Sequence, residues 1–477
     1  MNRNHTGRRW TFRVGMIAAL CVPALALSLV LALGNATARA QPARPDAAAV
    51  VAQRDEAIAY AIGLQAYLYG YPALDYMRVM REQTTAGADP HGVYAPINHI
   101  YFQDGLAEPG GFFAGRAPNT STIYFSAWLD LSSGPVTIDA PDTHDRYYVL
   151  TYADFYADVQ HTGRRTTGTA AQRILVVGPG WNGKPPAGVH LIRLRTDLGY
   201  LLGRVLVDGP QDLSAARSVM RRFRLSGPTP TPAARQPPAP ETLTSPDVFR
   251  SLNIFLKNNP RLPGEDALMA QFDRIGVGPG ATFDARRLST GTRRGLERAV
   301  ADGHAILANA PLAAPVVEGW TPMVTTYGNF GFDYLERAII EYNGFLGNLP
   351  QEAVYPSAQT DASGDPLNGG KRYRIVFPAN GLPPNDAFWA INAYDLRTMD
   401  LFPNRARRYA VSDRMPDLRR RADGAVEIRT QQEEPAEQDV NWLPVGAGRF
   451  FLSCRIYQPR APVLDGRYTL PPIEALP

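Results

Sequence analysis

The stretch His144–Gly168, HDRYYVLTYADFYADVQHTGRRTTG, gathers tyrosines, aspartates, histidines and arginines in what otherwise reads as a β-strand. If residues 144–158 are extended, their side chains alternate across the sheet. Tyr147, Val149, Thr151, Ala153 and Phe155 then share one face, an ordinary core stripe, while Tyr148, Leu150, Tyr152, Asp154 and Tyr156 share the other. Tyrosines around a carboxylate suit a sugar or another polyhydroxylated ligand, because tyrosine offers a flat apolar ring and a hydroxyl. The plainer reading is an exposed sheet face on which Asp154 merely ends the strand. His161 follows, just before GRRTTG. A histidine serves as general base beside a carboxylate when the two lie within hydrogen-bond reach. These residues nominate Asp154 and His161 as an acid/base pair, with Tyr148, Tyr152 and Arg165 binding a substrate.

A second candidate wall lies near the C-terminus. In FFLSCRIY, Phe450, Leu452, Cys454 and Ile456 form an apolar face, and Phe451, Ser453, Arg455 and Tyr457 a face with a polar centre. Cys454 therefore reads as a small core side chain rather than a nucleophile. Arg455, beside Phe451 and Tyr457, can stack on a ring or clamp a carboxylate bidentately; an ion pair with Asp395 is the structural alternative. Arg455 and Tyr457 join the binding set, as does Trp442 of NWLP as an aromatic platform, for which packing is the alternative.

Other chemistries lose ground. Beyond residue 40 the histidines are 91, 99, 144, 161, 190 and 304, with no pair at i, i+2 or i, i+4 beside a third ligand, so a histidine-built zinc site is not expected. No cofactor is predicted, while a divalent cation held by carboxylates and carbonyls stays open. There is no G-x-S-x-G elbow, no H-E-x-x-H and no P-loop. GVGPGATF places proline where a nucleotide loop needs free N–H groups.

The elements that must position these residues begin after a leader. MNRNHTGRRWTFR is basic, an apolar run follows, and NATARA ends in small residues. This is the plan of a secretory signal cut between Ala40 and Gln41, and it predicts a periplasmic or extracellular protein with no membrane span after cleavage. An uncleaved anchor is the alternative; Arg8-Arg9 admits a twin-arginine signal, which Trp10-Thr11-Phe12 fits poorly. The leader holds five arginines and no acid, so removing it takes the formal net charge from +4 to −1. Nucleic acid is therefore not an expected partner; a small molecule or a glycan is, and the oligomeric state is left open. Cys21 leaves with the leader and Cys454 is then alone, so stability must come from packed cores.

The body of the chain divides by texture. Residues 47–95 carry helical periodicity with a break or kink expected at Gly70-Tyr71-Pro72 and a second helix through Asp75–Met80. Residues 96–226 are short β-like runs closed by Gly, Pro or Asp, which argue an antiparallel sandwich. A proline-rich connection spans 227–244, a helical region 245–350, and β texture returns over 351–477. The expected fold is thus mainly β with a helical insert.

From about Ala57 to Ile473 the chain resembles bacterial secreted proteins built from domain-of-unknown-function family 1254 followed by family 1214. The likeness rests on AYLYGYPALDYMR, on APNTSTIYFSAWLDLSSGPVTIDAPDTHDRYYVLTYADFY, GRRTTG and VVGPGWNG, and later on SGDPLNGGKRYRIVFP, FWAINAYD, NWLPV and CRIYQP. It implies an immunoglobulin-like β-sandwich, an α-helical region and a C-terminal jelly-roll-like β-sandwich, and no established catalytic set. One position departs: Ser121, in Thr120-Ser121-Thr122-Ile123-Tyr124, stands where relatives often carry Asp. Two functions follow as alternatives. One is an exported hydrolase acting on a glycan or ester between two β domains. The other is a non-catalytic ligand-binding or envelope-interaction protein.

Overall fold

The computed structural model describes residues 46–111, 116–230, 238–310, 315–322 and 327–477. The expected leader, and residues 231–237 of the proline-rich connection, lie outside the described residues. The remainder is β-rich with a helical region.

Helix α1 (Ala47–Thr84) runs unbroken through Pro72. The break expected at Gly70-Tyr71-Pro72 is therefore corrected. Proline costs one donor there, but every residue from Tyr69 to Met77 is buried, and packing on all sides outweighs the lost bond. Gly70 lets Leu252 of α3 (Val248–Asn258) approach until an added Cβ would meet its Cδ2 at 2.6 Å. The long helix α5 (Thr290–Asn309) crosses α1 more closely still. Added Cβ atoms at Gly291 and Gly295 would come within 2.2 and 2.4 Å of the Ala52 and Glu56 carbonyl oxygens. Between them in the chain come α2 (Leu213–Met220) and α4 (Asp266–Phe272), and after them α6 (Tyr334–Gly344) and the short α7 (Ala461–Leu464).

The first β region pairs two sheets. One orders β1 (Tyr101–Phe102), β2 (Thr122–Asp130), β8 (Leu198–Leu206), β4 (Tyr148–Asp154) and β5 (Val159–Gly163). The other orders β7 (Val189–Arg193), β6 (Gln172–Val177), β3 (Val136–Ala140) and β9 (Arg224–Ser226). Phe125, Tyr148, Leu150, Tyr152, Ile138 and Ile174 pack between them. The outer face of the five-stranded sheet is covered as well. Trp128, Tyr200 and Leu202 pack against Tyr76 of α1, Phe255 of α3 and Phe345. Hence β2, β4 and β8 are buried at every position, and no strand of this trio shows a wet side.

The second β region repeats the plan. One sheet orders β10 (Ala353–Val354), β18 (Phe450–Pro459), β13 (Asn385–Asp395) and β14 (Asp400–Leu401), with β11 (Ser357–Ala358) on β18 and β15 (Ala410–Ser412) on β13. The other orders β17 (Asn441–Pro444), β16 (Val426–Gln431), β12 (Arg372–Phe377) and β19 (Glu474–Leu476). Ile375, Trp389, Ile428, Leu452, Cys454 and Ile456 fill the space between. Two pairings, β6 with β7 and β16 with β17, are parallel, and the first departs from the antiparallel sandwich expected over 96–226. A further apolar cluster, Tyr147, Val149 and Leu206 against Ala387, Phe388 and Tyr457, joins the two β regions. No helix among the described residues is long and apolar enough to cross a membrane.

Candidate ligand-binding site between the two β regions

The residues nominated along 144–168 disperse. Tyr148 and Tyr152 point into the core of the first sheet pair; the Tyr152 hydroxyl meets Thr162 Oγ1 at 2.9 Å, and Gln172 Nε2 donates to the Tyr148 hydroxyl at 2.7 Å. The two faces of β4 thus exchange the roles expected of them. The side bearing Tyr147, Thr151 and Ala153 is the one that meets the helices and the second β region. Asp154 closes a turn. It accepts the Tyr156 amide at 2.8 Å and Arg195 Nε at 3.2 Å, and Arg195 also pairs with Asp158 at 2.9 Å. Burial, partly opposed by Arg195, raises the Asp154 carboxyl above the ordinary range. Trp442 donates its indole N–H to the Gln431 carbonyl at 3.0 Å, on the far sheet of the second β region. Arg165 pairs with Glu352 at 2.7 Å, and Glu352 also accepts the Tyr147 hydroxyl at 2.7 Å.

Arg455 and Tyr457 stand elsewhere, in a cavity of about 510 Å³ where the outer face of the first sheet, strand β18 and the end of α6 meet. Alternation along β18 turns Phe451, Ser453, Arg455 and Tyr457 toward this space and leaves Cys454 in the core behind. Opposite them, β8 contributes Leu202 and Arg204, and β2 contributes Tyr124, the cross-strand neighbour of Arg204. Leu202, Ile340, Leu346, Leu396, Met399 and Phe451 make an apolar wall. Arg204, Arg455, Tyr355, Tyr457 and Asn119 make a polar one.

The two arginines are 6% exposed each, and neither has a carboxylate within ion-pair distance among the described residues. Arg455 donates to Asn392 Oδ1 at 3.0 Å, to the Tyr394 hydroxyl at 2.6 Å and to the Ala117 carbonyl at 2.6 Å. The ion pair with Asp395 is not formed; that carboxylate accepts the amides of Arg397 and Thr398 instead. Arg204 Nη1 donates to Thr151 Oγ1 at 3.1 Å and to Asn348 Oδ1 at 3.4 Å, while its buried Nε has no partner. By contrast Arg116, at the cavity rim, is neutralised by Asp75 at 3.0 Å.

His161 lies two hydrogen bonds behind this wall, through Asn348. Its Nε2 meets Asn348 Oδ1 at 3.0 Å, and Asn348 Nδ2 donates to the Tyr355 hydroxyl at 2.6 Å. Burial first, then the Arg165 and Arg204 charges, push the imidazole pKa down to about 3, so the ring is neutral at any ordinary pH. Asp154 and His161 do not converge on the cavity, whose described lining holds no Asp, Glu, His or Cys. Among the described residues no group of three or more His, Cys, Asp or Glu is placed to hold a metal ion.

Arg204, Tyr355, Asn348 and Asn119 escaped the sequence reading. Arg204 had a usable signal, because it is the one charged residue of the apolar run LGYLLGRVL. Asn119 and Asn348 sit outside regular elements and had none.

The chain is β-rich with a helical region, and two sequence families match its two β regions. Residues 97–227 match the protein of unknown function family DUF1254 and residues 352–461 match DUF1214, so the chain carries a DUF1254 region followed by a DUF1214 region. No curated protein matches the chain. Among solved structures, the VPA0106 protein of Vibrio parahaemolyticus is similar at TM-score 0.63 and 23% identity, covering 88% of this chain and 100% of that one, a likeness of fold. An uncharacterised protein from Burkholderia cenocepacia aligns over 90% of this chain and 97% of its own at TM-score 0.43 and 14% identity.

Proposed function

We propose that this is an exported protein that binds a small amphipathic organic molecule in the cavity between its two β regions. One observation carries the reading: a space of about 510 Å³, within the range of ligand pockets, is lined by apolar side chains together with convergent polar groups. Hydrolysis most often uses a carboxylate or an imidazole in reach of the ligand, and the described lining holds no Asp, Glu, His or Cys. Binding therefore accounts for the geometry better than hydrolysis does, and it invokes no cofactor. Export rests on the leader-like residues 1–40. An immunoglobulin-like first pair and a jelly-roll-like second pair are the finer fold reading, supported by two sheets over one core in each region.

The test is a titration with the neutral fluorophore 1-N-phenylnaphthylamine. Wild type is expected to bind it with saturable fluorescence enhancement. Ser453→Trp, which fills the cavity from β18, is expected to remove that signal while leaving the far-ultraviolet circular dichroism unchanged. Equal enhancement by both proteins counts against the cavity.

A further inference from the structure

We infer that the polar wall of the cavity is a receptor for an organic oxyanion, a carboxylate or a phosphate monoester, held by Arg204 and Arg455 and by the hydroxyl protons of Tyr355 and Tyr457. The inference rests on the cavity being the ligand site and adds the chemical class.

Hydrogen-bond direction carries the argument. A guanidinium can only donate. Arg204 Nη1 therefore makes Thr151 Oγ1 an acceptor at 3.1 Å, and the Thr151 proton goes to the atom of Asn348 that it faces at 2.9 Å. That atom, which Arg204 also approaches, must be Oδ1, so Asn348 presents Nδ2 to Tyr355. The Tyr355 hydroxyl accepts from Nδ2 at 2.6 Å and keeps its own proton for the cavity. The same logic fixes the second hydroxyl. The Ser121 amide donates to Asn119 Oδ1 at 2.6 Å, which turns Asn119 Nδ2 onto the Tyr457 hydroxyl, also at 2.6 Å. Tyr457 therefore accepts from Asn119 and has its proton left to give. The Tyr355 and Tyr457 rings are neighbours, 6.4 Å apart between centroids and perpendicular.

Two hydroxyl protons and two buried guanidiniums thus line one cavity, with no anionic side chain on its described lining. A buried cation without a counter-ion is costly, and a bound anion removes the cost. The open cleft outside, lined by Arg164, Arg165, Arg414 and Arg460, differs because each arginine there has an acidic neighbour: Arg164 with Asp145 at 3.0 Å, Arg165 with Glu352 at 2.7 Å, Arg414 with Asp208 at 3.8 Å, and Arg460 with Asp386 at 2.6 Å. That cleft is already neutralised. The apolar side chains of the lining take the body of the ligand.

The experiment is displacement of 1-N-phenylnaphthylamine by octanoate, octyl phosphate, octanamide and octan-1-ol, four molecules with one tail and different heads. At least one of the two anions is expected to displace the fluorophore at about tenfold lower concentration than the amide or the alcohol. Tyr355→Phe keeps the ring and its packing and is expected to erase most of that preference. Arg455→Gln is expected to abolish it; if this variant does not fold, Tyr355→Phe carries the test. Equal displacement by all four molecules overturns the oxyanion class while leaving the cavity as a neutral site. An unchanged anion preference in Tyr355→Phe overturns the donor assignment.

Discussion

His161 illustrates how a residue that looks catalytic can serve as scaffolding. Its imidazole is buried, hydrogen-bonded through Nε2 to Asn348 and depressed to a pKa of about 3, chiefly by that burial. An unfolded chain titrates its histidines near 6.5. Between about pH 6.5 and 3 the unfolded state therefore binds a proton that the native state refuses. The stability linked to neutral His161 is fully present above about pH 6.5 and is lost as pH falls toward 3, at about 1.4 kcal/mol per pH unit. His161→Gln keeps an N–H for Asn348. Its unfolding free energy, measured by urea titration at several pH values, is expected to fall less steeply with acid than wild type over that window. Parallel slopes would mean that the ring takes up a proton in the native state. At this scale the polar wall was partly legible. Arg455 and Tyr457 share a strand face by simple alternation, whereas Arg204 is brought opposite them only by tertiary structure.

Elements were easier to name than to orient. The run Tyr148–Asp154 is a strand as its β-branched and aromatic content predicts, but alternation cannot say which face meets a wetter neighbour when both are buried. Strand β8, the hub between β2 and β4, is interrupted by Gly199 and Gly203, which dilute a β pattern. Gly203 is there because an added Cβ would lie 2.1 Å from the Phe125 ring. The helical glycines make a sharper prediction. In an exposed helix, alanine in place of glycine stabilises by about 1 kcal/mol. In α5 the Cβ of Gly295→Ala would be driven against the Glu56 carbonyl oxygen and the Ala59 Cβ, at 2.4 and 2.8 Å. Overpacking of this kind costs roughly 1–3 kcal/mol. Chemical denaturation of Gly295→Ala is thus expected to show a lower midpoint, the opposite sign to helix propensity; a raised midpoint would mean that α1 and α5 are free to part.

At the scale of the whole molecule, residues 47–477 form one compact unit, and the cavity belongs to that unit rather than to either β region. Glu352 helps to lock the junction, accepting from Tyr147 just before β4 and from Arg165 in the loop after β5. The two β textures and the helical stretch between them could be read from composition and period. Their convergence could not, because Arg204 and Arg455 lie 251 residues apart and no local signal links them. The most direct test of the account is a crystal of the protein soaked with 4-iodobenzoate, with the iodine located by its anomalous scattering. An iodine peak is expected against Leu202, Leu346 and Phe451, with the carboxylate directed at Arg455 and Tyr355. Iodine found in the outer cleft of Arg164 and Arg460, with the inner cavity empty, would contradict it.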